Sequence, residues 1–380
     1  MPSFFEKQPK LGILGGGQLG RMLIQSAVNF DLYTKVLEAD DQCPCRDVCS
    51  EFVRGSITDY ETVLRFGKDV DVLTIEIENV NVDALEQLQS NGITVHPQPH
   101  VIRTIQDKGR QKQFLLEHNI PTTEFQVIEN KTELLQFDRF FPAVQKLCTT
   151  GYDGRGIYKI NGKQDFGRAF EKPSVLEKFV EFEKEISVIV ARNISGEMKT
   201  YPPVEMMFHP AANLVEFLIA PASLSPSVEH RAEAIAEDVA RAFNIIGLAA
   251  VEMFVMRDDT IFVNEIAPRP HNSGHHTIEA NVTSQYEQHL RAIFDLPLGS
   301  TILQSPAVMV NILGTEGFEG AARYQGLEKV LAIDGATVHL YGKAITKPFR
   351  KMGHVTILDS NIDSALQKAR YIKQQLKVIA

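Results

Sequence analysis

The sequence has few cysteines, no long hydrophobic run and no excess of positive charge, and each absence excludes a class of protein. Only 4 of the 380 residues are cysteine, too few for a disulfide framework. No stretch approaches about 18 uninterrupted apolar residues, so we expect no membrane span. Acidic residues outnumber basic ones, 48 to 39, which argues against general nucleic-acid binding. The first residues lack the basic-then-apolar order of a signal peptide, so a cytoplasmic location is expected.

The cysteines do not have the spacing of a metal site. Cys43, Cys45 and Cys49 form C-x-C-x3-C, and Cys148 is distant. A zinc site normally shows C-x2-C and a second pair of ligands. Reduced thiols in a loop are therefore favoured over zinc.

The pattern of short apolar runs and amphipathic segments predicts an α/β protein of about three lobes. Strands and helices alternate over the first hundred residues, which is typical of a parallel, doubly wound sheet. One helix is expected over residues 101–118, followed by a strand-rich region up to residue 220. A long helix over 227–243, a hairpin over 248–266 and a terminal helix from about residue 362 complete the pattern.

A glycine-rich turn follows the first predicted strand and precedes a helix. It reads Gly15-x-Gly17-x-x-Gly20, and Glu38 lies at the end of the second strand. This spacing is typical of dinucleotide binding, in which amides at the helix start hold a pyrophosphate. Binding of another phosphate and simple close packing remain alternatives.

A second glycine loop spans residues 151–156 and reads GYDGRG, with Lys146 before it. No G-x4-G-K-[ST] motif is present, which excludes a P-loop. The amides and Arg155 of this loop could cover phosphates. The alternative is a hairpin turn without a ligand.

The hairpin over residues 248–266 predicts a metal site. If the turn is centred on Asp258-Asp259, residue 257 faces 260 and Glu252 faces Glu265. Opposed like charges destabilise a sheet, so the pair indicates a compensating cation. Hard carboxylate oxygens suit Mg²⁺, which also binds substrate phosphates. Two solvated glutamates are the alternative.

Further polar groups lie at predicted strand ends and in loops. Arg269 and His271, fixed between prolines, could position a small anion. Zinc binding by His271, His275 and His276 and a plain polar loop are alternatives. Glu76 and Glu78 end a strand where open parallel sheets bind ligands. Lys343 and the basic run from Arg350 form either a monophosphate clamp or a solvated face.

Together these segments resemble the N5-carboxyaminoimidazole ribonucleotide synthetase family of the ATP-grasp superfamily. The resemblance rests on blocks that cover nearly the whole chain: LGILGGGQLGRM (11–22), EIEN (76–79), GYDGRG (151–156), EKFVEFEKEISV (177–188), VEMF (251–254), NEIAPRPHNSGHH (264–276), HLYGK (339–343) and RKMGHVTIL (350–358). It implies an ATP-grasp fold with an N-terminal doubly wound parallel-sheet domain (1–103), an ATP-grasp domain (104–298, with a mobile lid at about 121–184) and a small β-rich C-terminal lobe (299–380).

The resemblance also implies a reaction. ATP, bicarbonate and 5-aminoimidazole ribonucleotide would give the N5-carboxylated ribonucleotide, ADP and phosphate through carboxyphosphate, with Mg²⁺ bound. The partners would be these small molecules and a second copy in a homodimer, without nucleic acid or membrane. Rivals are another ATP-grasp ribonucleotide enzyme such as formate-dependent glycinamide ribonucleotide transformylase, an NAD-dependent dehydrogenase, and a non-catalytic nucleotide-binding protein.

Site residues carried over by the resemblance fall into four groups. The group that would bind ATP is Lys108, Lys146, Gly151, Tyr152, Asp153, Gly154, Arg155, Gly156, Ile157, Glu177, Lys178, Phe179, Val180, Glu185, His209, Asn264 and Glu265. The group that would bind the ribonucleotide is Gln18, Leu19, Glu76, Asn272, Lys343, Arg350 and Lys351. The catalytic group would be Arg155, Arg269, His271 and Lys343, and the Mg²⁺ ligands Glu252 and Glu265.

Overall fold

The computed structural model describes residues 7–149, 151, 156–209 and 214–380. Its α-helices are α1 (Gln18–Val28), α2 (Tyr60–Gly67), α3 (Val82–Ser90), α4 (Pro99–Ile105), α5 (Lys108–Glu117), α6 (Pro226–Ala242), α7 (Thr277–Ala280), α8 (Gln285–Ile293), α9 (Leu327–Leu331) and α10 (Ile362–Gln375). Short 3-10 helices cover Lys131–Gln136, Asp138–Phe140, Lys163–Arg168 and Asn272–Gly274.

The strands, in chain order, are β1 (Lys10–Leu14), β2 (Tyr33–Glu38), β3 (Glu51–Arg54), β4 (Val72–Ile75), β5 (Thr94–Val95), β6 (Phe125–Ile128), β7 (Ala143–Leu147), β8 (Ile157–Ile160), β9 (Ser174–Lys178), β10 (Lys184–Arg192) and β11 (Met198–Thr200). They continue as β12 (Val204–Phe208), β13 (Val215–Ala220), β14 (Gly247–Val255), β15 (Ile261–Ala267), β16 (Ala307–Leu313), β17 (Gly320–Ala321), β18 (Arg323–Gln325), β19 (Ala336–Leu340), β20 (Ile345–Thr346), β21 (Lys351–Leu358) and β22 (Lys377–Ile379).

The N-terminal sheet is parallel and doubly wound, as the alternating pattern predicts. Its five strands have the order β3-β2-β1-β4-β5, so successive strands are added on one side of β1 and then on the other. Helix α1 covers one face with Leu19 and Leu23, and α2 and α3 cover the other with Val63 and Leu85. The loops after β1 and β4 therefore meet at the carboxyl edge of the sheet, which is where open α/β sheets bind ligands.

The helix expected over 101–118 is in fact two helices, α4 and α5. Asp107 interrupts it and caps α5, since its carboxylate accepts from the amides of Gly109 and Arg110. A side chain that satisfies two helix-start amides favours a new helix start over continuation. The break places Lys108 at the first position of α5, where its side chain can reach the central sheet.

A four-stranded antiparallel sheet, in the order β6-β9-β7-β8, forms a separate layer over residues 125–178. The larger sheet has nine strands and runs β15-β14-β10-β12-β13-β16-β21-β19, with β11 paired to β10. Strand β13 pairs with β16, so the sheet is continuous across residue 298. Helix α6 packs on β10 and β14 through Val228, Ala232 and Val239. The domain boundaries remain predictions about folding units.

Candidate active site

The glycine turn after β1 is filled by the protein's own carboxylates. The Leu19 amide at the start of α1 lies 3.2 Å from Glu76 Oε1, and the Gly16 amide donates to Glu38 Oε2 at 3.0 Å. A Cβ on Gly17 would lie 2.3 Å from Glu76 Oε1, so only glycine permits this approach. Burial raises the pKa of Glu76, although Arg269 and the amides of Leu19 and Gly17 act to lower it. The positions that a pyrophosphate and a ribose would need are thus taken, which argues against NAD.

Glu252 and Glu265 are directly opposed on β14 and β15, as the hairpin arithmetic predicts, but the route to that register differs. Near the turn Phe254 pairs with Phe262 and Val255 with Ile261, one residue away from the expected pairing. A β-bulge beside Met253 then shifts the register and restores the glutamate pair. The bulge leaves Asn264 as the extra residue. The Asn264 side chain lies on the glutamate side of the sheet, where it contacts Glu185 and Lys146.

Three carboxylates surround this bulge. Lys108 forms an ion pair with Glu265, and Asn264 Nδ2 donates to Glu185 Oε1 at 3.3 Å. Burial, Glu265 and Glu185 raise the pKa of Glu252 to about 8. Burial raises the pKa of Glu185 to about 7, against the lowering influence of Lys146. Burial acts to raise the pKa of Glu265 as well, but Lys108 and Lys146 together hold that pKa below its ordinary value.

The donor set fits a hard divalent cation that shares its ligands with a phosphate. The two opposed carboxyl groups supply oxygen ligands, and a bound cation would favour the ionised form of Glu252, whose pKa burial and the neighbouring glutamates raise in its absence. Within the described residues there is no group of three or more His, Cys, Asp or Glu placed to hold a metal by itself. This also argues against zinc at His271, His275 and His276 or at the clustered cysteines, each of which is free.

Lys146 on β7 is held by two acceptors. Its Nζ lies 2.9 Å from Glu177 Oε1 and donates to Asn264 Oδ1 at 2.8 Å. The other oxygen of Glu177 contacts Lys112 at 3.0 Å and accepts from Thr123 at 2.8 Å. With only 3% of Glu177 exposed, its carboxylate is closed to a ligand, and any nucleotide contact here must come from its backbone.

Arg269 and His271 follow β15, and each lies near a glutamate of a different strand or loop: Arg269 near Glu78 and His271 near Glu252. Arg269 Nε lies 2.9 Å from Glu78 Oε1, so the segment after β4 fixes its guanidinium. His271 Nε2 lies 3.6 Å from Glu252 Oε1, while its Nδ1 accepts from the Ser273 amide at 3.3 Å. Burial and Arg269 hold the pKa of His271 well below its usual range. The neutral ring therefore presents an Nε2–H donor toward the carboxylates.

The loop that carries His271 is anchored from two sides. Gln285 at the start of α8 accepts from the His271 amide at 2.8 Å and donates to its carbonyl at 2.7 Å. Asn272 and Asn311 exchange reciprocal amide hydrogen bonds of 3.0 and 2.9 Å. Strand β16 of the C-terminal lobe thus orients the loop, which a reading of the sequence alone did not anticipate.

Lys343 of the C-terminal lobe reaches the N-terminal domain. Lys343 Nζ donates to Gln18 Oε1 at 2.8 Å and to the Lys351 carbonyl at 2.7 Å. Arg350 donates to the Ile345 carbonyl at 2.6 Å. Gln18 begins α1, directly after the glycine turn, so Lys343 and Glu76 border one region. The sequence alone could not show that segments 325 residues apart meet.

The remaining ATP-site predictions have different locations. Lys178 ends β9, and Phe179 follows it with Lys159 above its ring at 3.5 Å. His209 follows β12 and lies against Phe349, and Ile157 begins β8. Val180 follows Phe179, and Gly151 and Gly156 flank the second glycine loop. Tyr152, Asp153, Gly154 and Arg155 lie outside the described residues, so their predicted roles stay predictions.

Sequence reasoning missed several supporting residues: Lys112, Gln285, Ser273 and Asn311. It placed Glu78 at a ligand-binding strand end but did not foresee its contact with Arg269. Only Lys112 carried a readable signal, because it lies four residues after Lys108 and hence on the same helix face. The others depend on contacts between distant segments.

This combination of sheets, paired glutamates and facing lysines defines the chain as an ATP-grasp enzyme. Family models match an ATP-grasp domain over residues 113–286, a ribonucleotide synthetase preATP-grasp domain over 9–106 and a phosphoribosylaminoimidazole carboxylase C-terminal domain over 307–368. The fold class expected from the sequence is confirmed. The chain belongs to the N5-carboxyaminoimidazole ribonucleotide synthetase family, which are ATP-dependent ligases of purine biosynthesis.

Solved structures and curated relatives agree on this family. The N5-carboxyaminoimidazole ribonucleotide synthetase of Thermotoga maritima is 42% identical with a TM-score of 0.90, covering 98% of this chain and 99% of that one. The Aspergillus clavatus enzyme, solved with ADP and 5-aminoimidazole ribonucleotide, is 34% identical with a TM-score of 0.89, covering 97% and 98%. The Synechococcus elongatus synthase is 36% identical over 97% of this chain and 95% of its own length.

The chain is shorter than several fungal relatives. It spans 69% and 65% of two curated phosphoribosylaminoimidazole carboxylases, from Ogataea methanolica and Candida glabrata. The activity in their name describes those longer proteins. Within the described residues, no helix is both long enough and apolar enough to cross a membrane.

Proposed function

We propose that this chain carboxylates the exocyclic amine of 5-aminoimidazole ribonucleotide, using ATP and bicarbonate, at the site around the β14–β15 hairpin. The observation that carries the proposal is the opposition of Glu252 and Glu265. Lys108 contacts one of these carboxylates and His271 approaches the other. Groups suited to a nucleotide phosphate and groups suited to a small anion therefore meet at one carboxylate pair.

ATP would lie between the four-stranded sheet and the larger sheet. Lys108 and Lys146 are the cations for its phosphates, and the loop at 151–156 would cover them. The segment Glu177–Val180, with Glu185 and His209, would contact adenine and ribose, with Glu177 acting through its backbone because its carboxylate is already paired. Asn264, held beside Glu185 and Lys146, would fix the approach of the phosphates.

Glu252 and Glu265 would hold Mg²⁺ together with phosphate oxygens. A bound cation would neutralise the developing charge on the transferred phosphoryl group and would relieve the repulsion between the two carboxylates. Lys108 would then be released from its ion pair with Glu265 and be free to contact phosphate. Its present contact shows that the side chain already reaches this position.

Bicarbonate would be bound by Arg269 and His271. One bicarbonate oxygen attacks the γ-phosphorus, the bond to the β-phosphate oxygen breaks, and ADP leaves with that electron pair. The amine nitrogen then attacks the carboxyl carbon of carboxyphosphate, or CO2 released from it, and phosphate departs as the amine loses a proton. Arg269, fixed by Glu78, and the Nε2–H of His271 would stabilise negative charge on the carboxyl oxygens.

The ribonucleotide would occupy the region between the glycine turn and the C-terminal lobe. Glu76 and the backbone around Leu19 would contact its base and sugar, with Asn272 beside them. Lys343, Arg350 and Lys351 would face its phosphate, and Gln18 would orient Lys343. Two phosphate-binding regions on opposite sides of Arg269 and His271 would bring the two substrates together.

Purified protein with Mg²⁺-ATP should release ADP only when both 5-aminoimidazole ribonucleotide and bicarbonate are present. Turnover that requires formate and glycinamide ribonucleotide instead would replace the proposal with the transformylase alternative. NAD reduction would support the dehydrogenase, and ATP binding without turnover a non-catalytic role. We also propose a homodimer and a cytoplasmic location. Light scattering and cell fractionation test these two points independently of activity.

A further inference from the structure

Lys112 is a fully buried lysine beside the proposed nucleotide site, and the mechanism above gives it no task. Only 2% of its surface is exposed, although burial of an ammonium group is costly. Its Nζ donates to Thr122 Oγ1 at 2.7 Å and Thr123 Oγ1 at 3.2 Å, and contacts Glu177 Oε2 at 3.0 Å. These contacts compensate the burial, but they do not by themselves explain why a charge is placed here.

The arrangement forms a chain of alternating partners that ends at the phosphate-facing lysine. Lys112 holds one oxygen of Glu177, and Glu177 holds Lys146 with the other. Lys146 reaches Asn264 on the bulge, which is next to Glu265. The four groups come from α5, β9, β7 and β15, so helix α5 is connected to the metal-binding strand through buried charges.

Among Lys112, Glu177 and Lys146 the charges do not balance, although Glu265 and Glu185 also lie near Lys146. Two ammonium groups share one carboxylate, which leaves a single positive charge. If Lys112 were neutral, Glu177 and Lys146 would form a closed pair whose charges cancel. With Lys112 charged, Glu177 still fixes the position of Lys146 but neutralises only part of its charge. The remaining positive charge can attract an anionic ligand. In a low-dielectric interior this difference is large.

We propose that Lys112 is a positioning residue for the nucleotide phosphates, acting through Glu177 on Lys146. The inference rests on the proposed function only in assuming that Lys146 contacts a phosphate. It assigns the Glu177 side chain to the same task. Lys112 touches neither substrate nor metal in this scheme. Because it acts only on the charge that Lys146 presents to the phosphates, its effect on affinity must depend on the charge of the ligand.

The experiment compares the affinities of ADP and adenosine for purified Lys112→Met, by competition against a fluorescent adenine nucleotide. We expect ADP affinity to fall at least about tenfold and adenosine affinity to change less than about twofold, since one partner of a buried charge chain is lost. KM for ATP should rise more than kcat falls. Lys112→Arg, which keeps the charge, should recover part of the ADP affinity.

Two further variants separate this proposal from others. Lys35→Met is a matched control, because Lys35 is also buried and paired, with Asp69 at 2.7 Å, but lies in the N-terminal sheet. Lys35→Met should lower thermal stability without changing the ratio of the affinities for ADP and adenosine. Lys146→Met tests the assumption. If it leaves that ratio unchanged, the phosphate role of Lys146 in the proposed function is wrong.

If ADP affinity falls selectively in Lys146→Met but not in Lys112→Met, the inference is overturned and the proposed function remains intact. If the affinities for ADP and adenosine fall equally in Lys112→Met, Lys112 has a merely structural role and the inference is wrong. Should Lys112→Met fail to fold, Lys112→Gln keeps a donor for Thr122 and removes the charge, and the same comparison applies. If neither variant folds, Lys112 serves the fold alone and the inference is wrong.

Discussion

Glu76 occupies the amino end of helix α1, with its Oε1 3.2 Å from the Leu19 amide. A carboxylate here interacts favourably with the helix dipole and satisfies an amide that a phosphate would otherwise bind. The same glycine spacing that predicts dinucleotide binding thus serves a different purpose. It admits a protein side chain that can in turn contact a substrate.

Gly17→Ala should destabilise the protein and weaken ribonucleotide binding. The added Cβ would meet Glu76 Oε1 at 2.3 Å, so Glu76 must move. We expect a loss of about 1–3 kcal/mol in the free energy of unfolding, as for other overpacked sites. Urea denaturation and KM for 5-aminoimidazole ribonucleotide measure the two effects. Gly167→Ala is the control, because its Cβ would meet nothing within 4 Å, and equal effects of both changes would contradict the prediction.

Glu252→Gln should stabilise the metal-free protein while abolishing turnover. The pKa of Glu252 is raised to about 8, so near pH 7 this carboxyl group is ionised in the unfolded chain and must take up a proton on folding. Glutamine removes that cost of folding and, at higher pH, the repulsion from Glu265 on the opposite strand. Thermal unfolding without Mg²⁺ should show a higher Tm than the parent protein. The increase in Tm produced by Mg²⁺ and ADP together should be smaller in the variant. A variant that keeps its turnover would refute the assignment of Glu252.

Glu265→Gln should also abolish turnover, with the fold preserved. Its side chain loses both the proposed Mg²⁺ contact and the charge that holds Lys108. Circular dichroism and thermal unfolding establish that the variant is folded before ADP release is measured. Glu181→Gln, on an exposed residue outside the site, is the matched control and should keep activity. An unchanged kcat in Glu265→Gln would remove Glu265 from the metal site.

Acid should destabilise the protein through buried neutral histidines. Burial lowers the pKa of His96 to about 4 and that of His289 to about 3, below the ordinary value of 6.5. Above pH 6.5 these histidines are neutral in both states and do not lower the free energy of unfolding. As the pH falls toward 4, the free energy of unfolding decreases, because only the unfolded chain binds the protons in that window. We expect about 2 kcal/mol per histidine between pH 7 and 5.

Urea denaturation of His96→Gln at several pH values measures this slope. The variant should lose less stability than the parent between pH 7 and 5. His230→Gln replaces an exposed histidine and should keep the parent slope. Identical slopes for the parent protein and His96→Gln would show that His96 does not contribute.

Asn311→Ala should raise KM for 5-aminoimidazole ribonucleotide by a factor of up to about ten, which corresponds to the loss of one hydrogen bond. KM for ATP should stay near the parent value. Asn311 orients Asn272 by reciprocal hydrogen bonds but lies on β16, outside the nucleotide region. Steady-state kinetics with each substrate varied in turn test this separation. Asn193→Ala removes another buried asparagine, on the β10–β11 connection, and is the control. An equal rise in both KM values would indicate general damage.

Much of the hairpin could be predicted because sheet pairing is local. A short connection between two apolar runs brings residues 252 and 265 together whatever surrounds them. The details of the register could not be predicted, since the bulge beside Met253 depends on what the Asn264 and Glu265 side chains contact. Those partners, Lys146 and Lys108, come from other elements. The break between α4 and α5 was missed although Asp107, a good N-cap residue, was visible.

The sequence by itself determined the α/β class, the parallel first sheet and the family, because periodicity and ordered motifs are local properties of the chain. Only the tertiary structure decided which charges meet. Glu76 fills the glycine turn, Lys112 supports Lys146 through Glu177, and Lys343 reaches Gln18, each between segments far apart along the chain. Such contacts depend on how the sheets pack against one another, and no spacing along the chain encodes that packing in a form that a local pattern can reveal.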